Sequence, residues 1–397
     1  MEKQTEIAII GGGSTGSSIL YHLAKRGVTD VTLLERGGQI ASGQTSRSTA
    51  LLRSHYSIPT VAQMARDSYK FFKKFEEEIP SSCGFRKTGL LVCGDTVTEK
   101  GLVANSQMLR GLGIVSQAID KEEAKQIEPF LDVSIFSVIV NEPESGYADP
   151  SMTASAFSNR AKDLGSTILT NTRVLSIKKS SSSKEYEIGT NNGVVHAKKV
   201  IVATGPWSKA LFASIGIKIP LKPVRHPVAI FQRPEEYSGT RTLIFDFPRE
   251  AYYKPEGNHF FYTGSLAAEL DFVEIDPDNY DDTVSFDEIT KFSEDVATAL
   301  PIMGASGRYQ RGYTGVYDIT PDQQPIIDEF SDAGFEELYC LIGLSGHGFK
   351  LSPAFGRMMS DILTGEKTTN YDRFIFRRSR FEEGKLLKSR YNLSTVG

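Results

Sequence analysis

Ile7-Ala-Ile-Ile10, followed at once by Gly11-Gly-Gly13-Ser-Thr-Gly16, is the stretch that decides the fold. The four apolar residues read as a buried strand, and Ser14 to Arg26 carries Ile19, Leu20 and Leu23 at helical spacing. A second apolar run, Val31-Thr-Leu-Leu34, ends on Glu35, about 20 residues beyond the last glycine. Strand, glycine turn, helix and parallel strand make a βαβ unit, so the fold class is α/β with a sheet covered on both faces. Gly11 permits the tight turn, Gly13 lets backbone N–H groups approach a pyrophosphate at the positive end of the helix, and Gly16 lets helix and strand touch. Glu35 suits ribose hydroxyls and repels a 2′-phosphate. The pattern is a dinucleotide fingerprint whose spacing fits NAD and FAD alike.

Working outward, a Gly/Ser/Thr-rich loop runs from Gly37 to Thr49, and a helix is expected over Val61 to Glu78. From Arg86 to Asp149 the pattern is mixed, with a strand at Gly89 to Val92 and helices at Leu102 to Leu112 and Glu122 to Glu128. A helix from Met152 to Leu164 and strands at Arg173 to Lys178, Tyr186 to Gly189 and Val194 to Val202 return the chain to the first sheet, with Ser180 to Ser183 as a hairpin turn. Aromatic alternation between Ile219 and Tyr317, with one helix at Phe286 to Leu300, predicts a second, largely antiparallel unit. A last strand, Leu338 to Ile342, meets a glycine turn and a helix from Ser352 to Leu363, repeating the opening grammar. The expectation is a Rossmann-like dinucleotide-binding domain of residues 1–85, 150–217 and 318–397, interleaved with an α+β domain of residues 86–149 and 218–317 built on a mainly antiparallel sheet.

The 397 residues are too many for a single core by default, and 40% apolar with 24% charged residues is a globular composition. A net charge of −4 gives no basic surplus for nucleic acid. Three scattered cysteines suggest neither a disulfide framework nor a zinc site, histidine spacing suggests no metal, and a reducing, cytoplasmic setting is expected. The opening runs straight into a strand instead of an h-region, and no apolar run is long enough to span a bilayer, so no membrane anchor is expected. The segment from Lys367 to Gly397 holds eight Lys/Arg against three acids and reads as a solvated tail.

Five ordered motifs narrow the reading further. They are the opening Gly-Gly-Gly-Ser-Thr-Gly with Tyr21 to Gly27 and Leu33 to Arg36, then Ala41-Ser-Gly-Gln-Thr-Ser-Arg47, Val200-Ile-Val-Ala-Thr-Gly-Pro-Trp207, Asp318-Ile-Thr-Pro-Asp-Gln-Gln-Pro-Ile-Ile327 and Gly343-Leu-Ser-Gly-His-Gly-Phe-Lys350. In this order they resemble the D-amino-acid oxidase superfamily of flavoproteins, and within it the sarcosine oxidase and dimethylglycine dehydrogenase branch, from Glu6 to Phe381. The resemblance implies FAD, held at Gly11, Gly13, Ser14, Thr15, Gly16, Glu35 and Arg36 and along Ser42, Thr45, Ser46 and Arg47. It adds Val174, Thr204, Gly205, Trp207 and Gly315, and places Gly343, Gly346, His347, Gly348, Phe349 and Lys350 at the pyrimidine end of the ring. Relatives that attach flavin covalently use a cysteine or histidine at positions matched here by Gly315 and Arg47, so the FAD is expected to be non-covalent.

For the substrate, the resemblance gives Arg53 and Lys350 as a carboxylate clamp and His347 as a residue close to the flavin; Tyr253, with His55 and Tyr252, reads equally as pocket lining or as core, and Tyr253 is taken as a candidate catalytic residue. Without the resemblance, Arg53 reads as a surface ion pair and Lys350 as a helix-flanking cation. The lysine that activates oxygen in monomeric sarcosine oxidases is matched by Tyr262, which argues against an oxidase. The implied function is FAD-dependent oxidation of the C–N bond of a sarcosine-, dimethylglycine- or proline-like amino acid by hydride transfer to flavin N5. The alternatives are a glycine or D-amino-acid oxidase or dehydrogenase, and a flavin-carrying electron-transfer subunit of a larger dehydrogenase. The expected partners are a small amino-acid substrate and, as electron acceptor, oxygen or a redox protein, in a homo- or hetero-oligomer.

Overall fold

The computed structural model describes residues 2–180, 185–267 and 273–389. The opening strand, Glu2–Ile10, pairs in parallel with Val31–Leu34 on one side and with Gly193–Val202 on the other. Thr167–Leu169 extends the sheet beyond Val31–Leu34, and the end of Gly193–Val202 pairs in parallel with Phe335–Ile342. Strands Val174–Lys179, Tyr186–Thr190 and Ile326–Phe330 join antiparallel, which completes an eight-stranded sheet. One face carries the helices Ser14–Lys25, Pro59–Lys73, Pro150–Asp163 and Gly348–Thr364 over a core that includes Ile9, Leu20, Leu33, Phe72 and Phe157. The other face buries Ile10, Tyr186, Ile188, Phe212 and Phe330.

The helices Ser14–Lys25 and Gly348–Thr364 cross closely because small residues meet at the contact. A Cβ on Gly356 would stand 2.4 Å from Ser18 Oγ, and that hydroxyl donates to the Ser352 carbonyl at 2.7 Å. Elsewhere helix starts are capped as their sequence dictates: Asp149 accepts from the Met152 N–H, and Asp120 and Ser285 form capping boxes with Glu123 and Glu288.

The second sheet is also eight-stranded, in the order Arg308–Ile319, Lys222–Gln232, Phe260–Ser265, Ala251–Glu256, Leu243–Asp246, Leu90–Gly94, Val138–Glu142, Gln117–Ile119. Every pairing is antiparallel except Leu243–Asp246 with Leu90–Gly94. One face packs on Phe286–Ala299 and Pro301–Ser306 through Phe261, Phe292 and Tyr253. The opposite face, with Phe245 and Tyr252, turns toward the first sheet.

Several expectations are corrected. The helix expected over Val61 to Glu78 is two helices, Pro59–Lys73 and Phe75–Glu78, separated at Lys74, whose φ of −111° leaves the helical region. The second unit carries two helices instead of one, with Pro301 starting the second. Ser181 to Ser183 of the expected hairpin turn, and Arg390 of the basic tail, lie outside the described residues. The described part of that tail is solvated at Lys367, Arg373, Lys385 and Lys388 but anchored between them. Arg380 is fully buried, Phe376 lies in the core, and Arg378 pairs with Asp332.

Arg380 donates from Nε and Nη2 to the two carboxylate oxygens of Asp322 (2.7 and 2.8 Å) and from Nη1 to the Phe376 carbonyl (2.9 Å). Truncating one partner of such a pair strands a buried charge, so Arg380→Ala is expected to lose about 3–5 kcal/mol of stability. Lys385→Ala, at an exposed site, is expected to stay within about 0.5 kcal/mol of the parent. Denaturant midpoints of the two variants check this.

Candidate active site

A cavity of about 470 Å³ opens between the two sheets at the carboxyl ends of Glu2–Ile10 and Val31–Leu34, where ligands bind in open α/β sheets. The glycine turn forms its floor. Gly11 has φ +109°, and a Cβ there would lie 2.4 Å from the Ala203 carbonyl oxygen, while a Cβ on Gly16 would lie 2.0 Å from the Gly11 carbonyl oxygen. Only glycine lets the helix begin this close to the strand. Helix Ser14–Lys25 has no side-chain cap of the ordinary kind, although Thr45 Oγ1, from the following loop, accepts from the Ser14 N–H at 3.0 Å. The Thr15 hydroxyl lines the cavity, buried and without a partner among the described residues. A helix N-terminus with an unused hydroxyl is a ready anion site.

Glu35 holds the turn as well as facing the cavity. Its Oε2 accepts from the Gly12 N–H (2.8 Å) and its Oε1 from the Gly37 N–H (2.6 Å), with Ser42 Oγ at 3.4 Å. A carboxylate accepts up to about four hydrogen bonds, so capacity for ribose hydroxyls remains. Beyond Glu35, the Arg36 guanidinium lies 4.0 Å from the centre of the Trp207 ring, and Asp278 accepts from both Arg36 Nη1 and Trp207 Nε1 at 2.8 Å. Val174, Thr204 and Gly205 line this end. Asp278 carries no motif, and its place at the cavity was not legible in the sequence.

At the other end, the turn from Gly343 leads into helix Gly348–Thr364. Gly343 has φ +66° and donates its N–H to Asp318 Oδ2 at 2.8 Å, and Ser345 and Gly346 also take positive φ. Burial pushes the Asp318 carboxyl up to about 6. Gly346, His347, Gly348, Phe349 and Lys350 line the cavity. The loop of residues 37–49 also reaches across: Gln44 Oε1 accepts from the Val316 N–H (2.8 Å), and Arg47 donates to the Thr314 carbonyl (2.8 Å) and pairs with Asp282. Gly315 stands opposite Arg47.

Two cations meet there. Arg53 is 3% exposed and donates from Nη1 to the His55 carbonyl, with its guanidinium 4.2 Å from the Tyr56 ring centre. Lys350 donates to the Gly346 carbonyl at 3.0 Å. Neither has a carboxylate partner among the described residues. Burial and then the Arg53 charge hold the Lys350 ammonium well below the usual lysine range, and burial also lowers the Arg53 guanidinium. Burial, then Lys350 and Arg53, hold His347 well below its usual value, so it is neutral, and its Nδ1 lies 3.0 Å from the Tyr56 hydroxyl, whose pKa burial pushes up to about 12. The second sheet supplies Phe245, Tyr252, and His226 stacked on Tyr317 at 4.2 Å.

Some expected residues stand elsewhere. Tyr253 does not line the cavity, because alternation along Ala251–Glu256 sends it to the far face, where its hydroxyl donates to the Asp295 carbonyl (3.2 Å). His55 faces a buried polar cluster instead of the cavity. Gly16, Ser42, Ser46 and Gly343 do not line the cavity: Gly16 and Gly343 support the turns that form its wall, and Ser42 and Ser46 are exposed on the loop beside it. Tyr262 is also outside the cavity, cross-strand from Lys254, which pairs with Glu256.

The cavity suits FAD: a glycine cradle and unused hydroxyl for a pyrophosphate, a carboxylate for ribose, and a second helix start at the far end. Comparison with known proteins agrees. Residues 6–362 match the family DAO, FAD dependent oxidoreductase. The chain is 27% identical over 398 residues to monomeric sarcosine oxidase of Bacillus sp. (strain B-0618), covering 96% of this chain and 97% of that one. It is 24% identical over 385 residues to mitochondrial dimethylglycine dehydrogenase of Homo sapiens, covering 91% of this chain and 43% of that one. Among solved structures, L-proline dehydrogenase from P. horikoshii superimposes with a TM-score of 0.88 at 30% identity, covering 98% of this chain and all of that one. No helix among the described residues is long and apolar enough to cross a membrane.

With Gly315 and Arg47 at the attachment positions, the purified protein is expected to release FAD into the supernatant on acid precipitation. Gly13→Asp is expected to lose flavin, since a side chain there meets Thr45 Oγ1 at 3.0 Å and adds negative charge beside the pyrophosphate site. Absorbance of supernatant and pellet, and flavin content per chain, measure both. Flavin retained in the pellet overturns the first expectation; a fully yellow Gly13→Asp overturns the second.

Proposed function

The chain belongs to the DAO family of FAD dependent oxidoreductases, and on that premise we propose that it oxidises the C–N bond of a small or N-methylated amino acid of the sarcosine, dimethylglycine or proline type. The observation that carries the reading is the pair of cations, buried Arg53 and half-buried Lys350, that line one cavity without a carboxylate partner among the described residues. Burying unpaired charge is costly, and a substrate carboxylate is the anion that repays it. A guanidinium fork takes both carboxylate oxygens, and the ammonium adds a point charge. Bound FAD supplies the hydride acceptor. The chain's own residues fix the carboxylate, exclude water with Leu51, Phe245 and Tyr252, and so favour the unprotonated amine, since burial disfavours its charged form. Neutral His347 brings no further positive charge against the amine.

No lysine of the second sheet lines the cavity among the described residues. This supports transfer of the electrons to a redox partner in preference to oxygen. Anaerobic mixing with sarcosine, dimethylglycine, proline, glycine and D-alanine, followed by flavin absorbance, tests the substrate class; reoxidation of the bleached protein by air and by an artificial dye then tests the acceptor. Failure of every amino acid to bleach the flavin would remove the enzymatic reading.

Arg53→Ala and Lys350→Ala are each expected to weaken substrate binding ~10 to 150-fold, the worth of a charge-assisted contact, with flavin content retained. Arg53→Lys should also bind poorly, because an ammonium cannot donate as a fork. Equal dissociation constants across wild type and variants would remove both residues from the site. A simple carboxylate without an amine isolates the Lys350 charge. Its binding is strengthened by the ammonium, so at pH values where the ligand's own carboxyl is ionised, affinity is expected to be full below the depressed Lys350 value and to fall as pH rises through it, below the ordinary 10.5. Lys350→Met should flatten that profile.

A further inference from the structure

We propose that Glu142 and His55 are positioning residues for substrate binding, a buried brace that acts on the carboxylate through Arg53. This rests on the carboxylate reading of the cavity. His55 is fully buried and Glu142 is 1% exposed, and neither lines the cavity. His55 Nδ1 lies 2.7 Å from Glu142 Oε1, Ser116 Oγ donates to the same oxygen at 3.2 Å, and Asn105 Nδ2 lies 3.3 Å from His55 Nε2. The four residues come from separate segments: the stretch after Leu51–Leu52, the end of strand Val138–Glu142, helix Glu99–Gly111, and the approach to strand Gln117–Ile119.

The brace reaches Arg53 by two routes. The His55 carbonyl accepts the hydrogen bond from Arg53 Nη1, so a locked imidazole two residues along the chain fixes the oxygen that fixes the guanidinium. The Glu142 carboxylate also lies close enough for its charge to favour the protonated guanidinium. Among the described residues Arg53 has no carboxylate of its own, its faces are held by Tyr56 and Phe245, at 4.2 and 5.3 Å, and one of its donors is committed. That leaves the rest of the fork for a ligand. A carboxylate in direct contact with Arg53 would occupy the fork. Set behind His55, the same charge steadies the arginine without competing for its donors. A buried acid whose nearest ionisable partner is a histidine is expensive to keep as packing alone, and placement behind the arginine gives it a use.

A double-mutant cycle tests this, read by rapid mixing of anaerobic FAD-loaded protein with the amino acid that bleaches it. Glu142→Gln keeps the shape and removes the charge; it is expected to raise the substrate dissociation constant about 3- to 30-fold, inside the roughly 2- to 150-fold range of coupling between neighbours. Flavin content, melting temperature and the limiting rate of flavin reduction should stay at parental values. In the Arg53→Ala background the same substitution should change the dissociation constant no further. Ser116→Ala, a milder loss of one donor to Glu142, should act in the same direction and also fall silent without Arg53, which covers a Glu142→Gln protein that does not fold. Equal effects in both backgrounds, or no effect of either variant on binding, would overturn the brace while leaving the carboxylate reading intact. An Arg53→Ala protein that binds substrate normally would overturn both.

Discussion

The contact between Gly16 and the Gly11 carbonyl is the constraint on which the rest of the site depends. A Cβ at Gly16 would stand 2.0 Å from that oxygen, and one at Gly11 would stand 2.4 Å from the Ala203 carbonyl, so three backbone segments meet with no side chain between them. That approach sets the helix Ser14–Lys25 end-on to the cavity. Its first N–H groups, which no helix can bond internally, then face a ligand instead of solvent. Larger residues at either glycine would push the helix back and turn its dipole away from the cleft.

From that placement the electrostatics of the cavity follow. Its anion-binding groups stand at opposite ends: a helix N-terminus with the Thr15 hydroxyl at one, a second helix start with Arg53 and Lys350 at the other. The acids that line it are already engaged. Glu35 ties down Gly12 and Gly37, Asp318 accepts from Gly343, and Asp278 bridges Arg36 and Trp207. These carboxylates therefore shape the wall, with Glu35 keeping capacity for ribose hydroxyls, and of the cations that line the cavity Arg36, Arg47 and Arg173 are paired while Arg53 and Lys350 have no carboxylate partner among the described residues. In an interior where charges are weakly screened, this division decides that the cleft takes a molecule with anionic groups at both ends. A dinucleotide and an amino-acid carboxylate satisfy that demand together.

How much of this was legible in the sequence depended on whether a residue acted through local grammar or through register. Gly11, Gly13, Gly16 and Glu35 were readable because strand, turn and helix are contiguous, and the later glycine turn repeated the pattern. Tyr253 was misassigned for the opposite reason. Tyr252 and Tyr253 are equivalent as composition, and only the pairing of Ala251–Glu256 with its neighbours decides which one faces the cleft. Asp278 and His226 arrive from distant segments with no motif around them, so only the folded chain brings them in. The tail misled because charge density reads as solvation, whereas Arg380 is buried with a matched acid, Asp322, far away in sequence.

The two sheets also depend on one another in a way neither domain's sequence announces. The loop that follows the first βαβ unit sends Gln44 and Arg47 onto Val316, Thr314 and Asp282, and Arg36 reaches Asp278. All four partners belong to the segment that carries or precedes strand Arg308–Ile319. The same loop supplies Thr45, which accepts from the Ser14 N–H at the pyrophosphate end. One stretch of backbone thus joins the nucleotide cradle to the sheet that forms the opposite wall of the cavity. Arg53, proposed to hold the substrate carboxylate, follows Arg47 after a short connection, so the loop that ties the two sheets together also leads into the far end of the cavity.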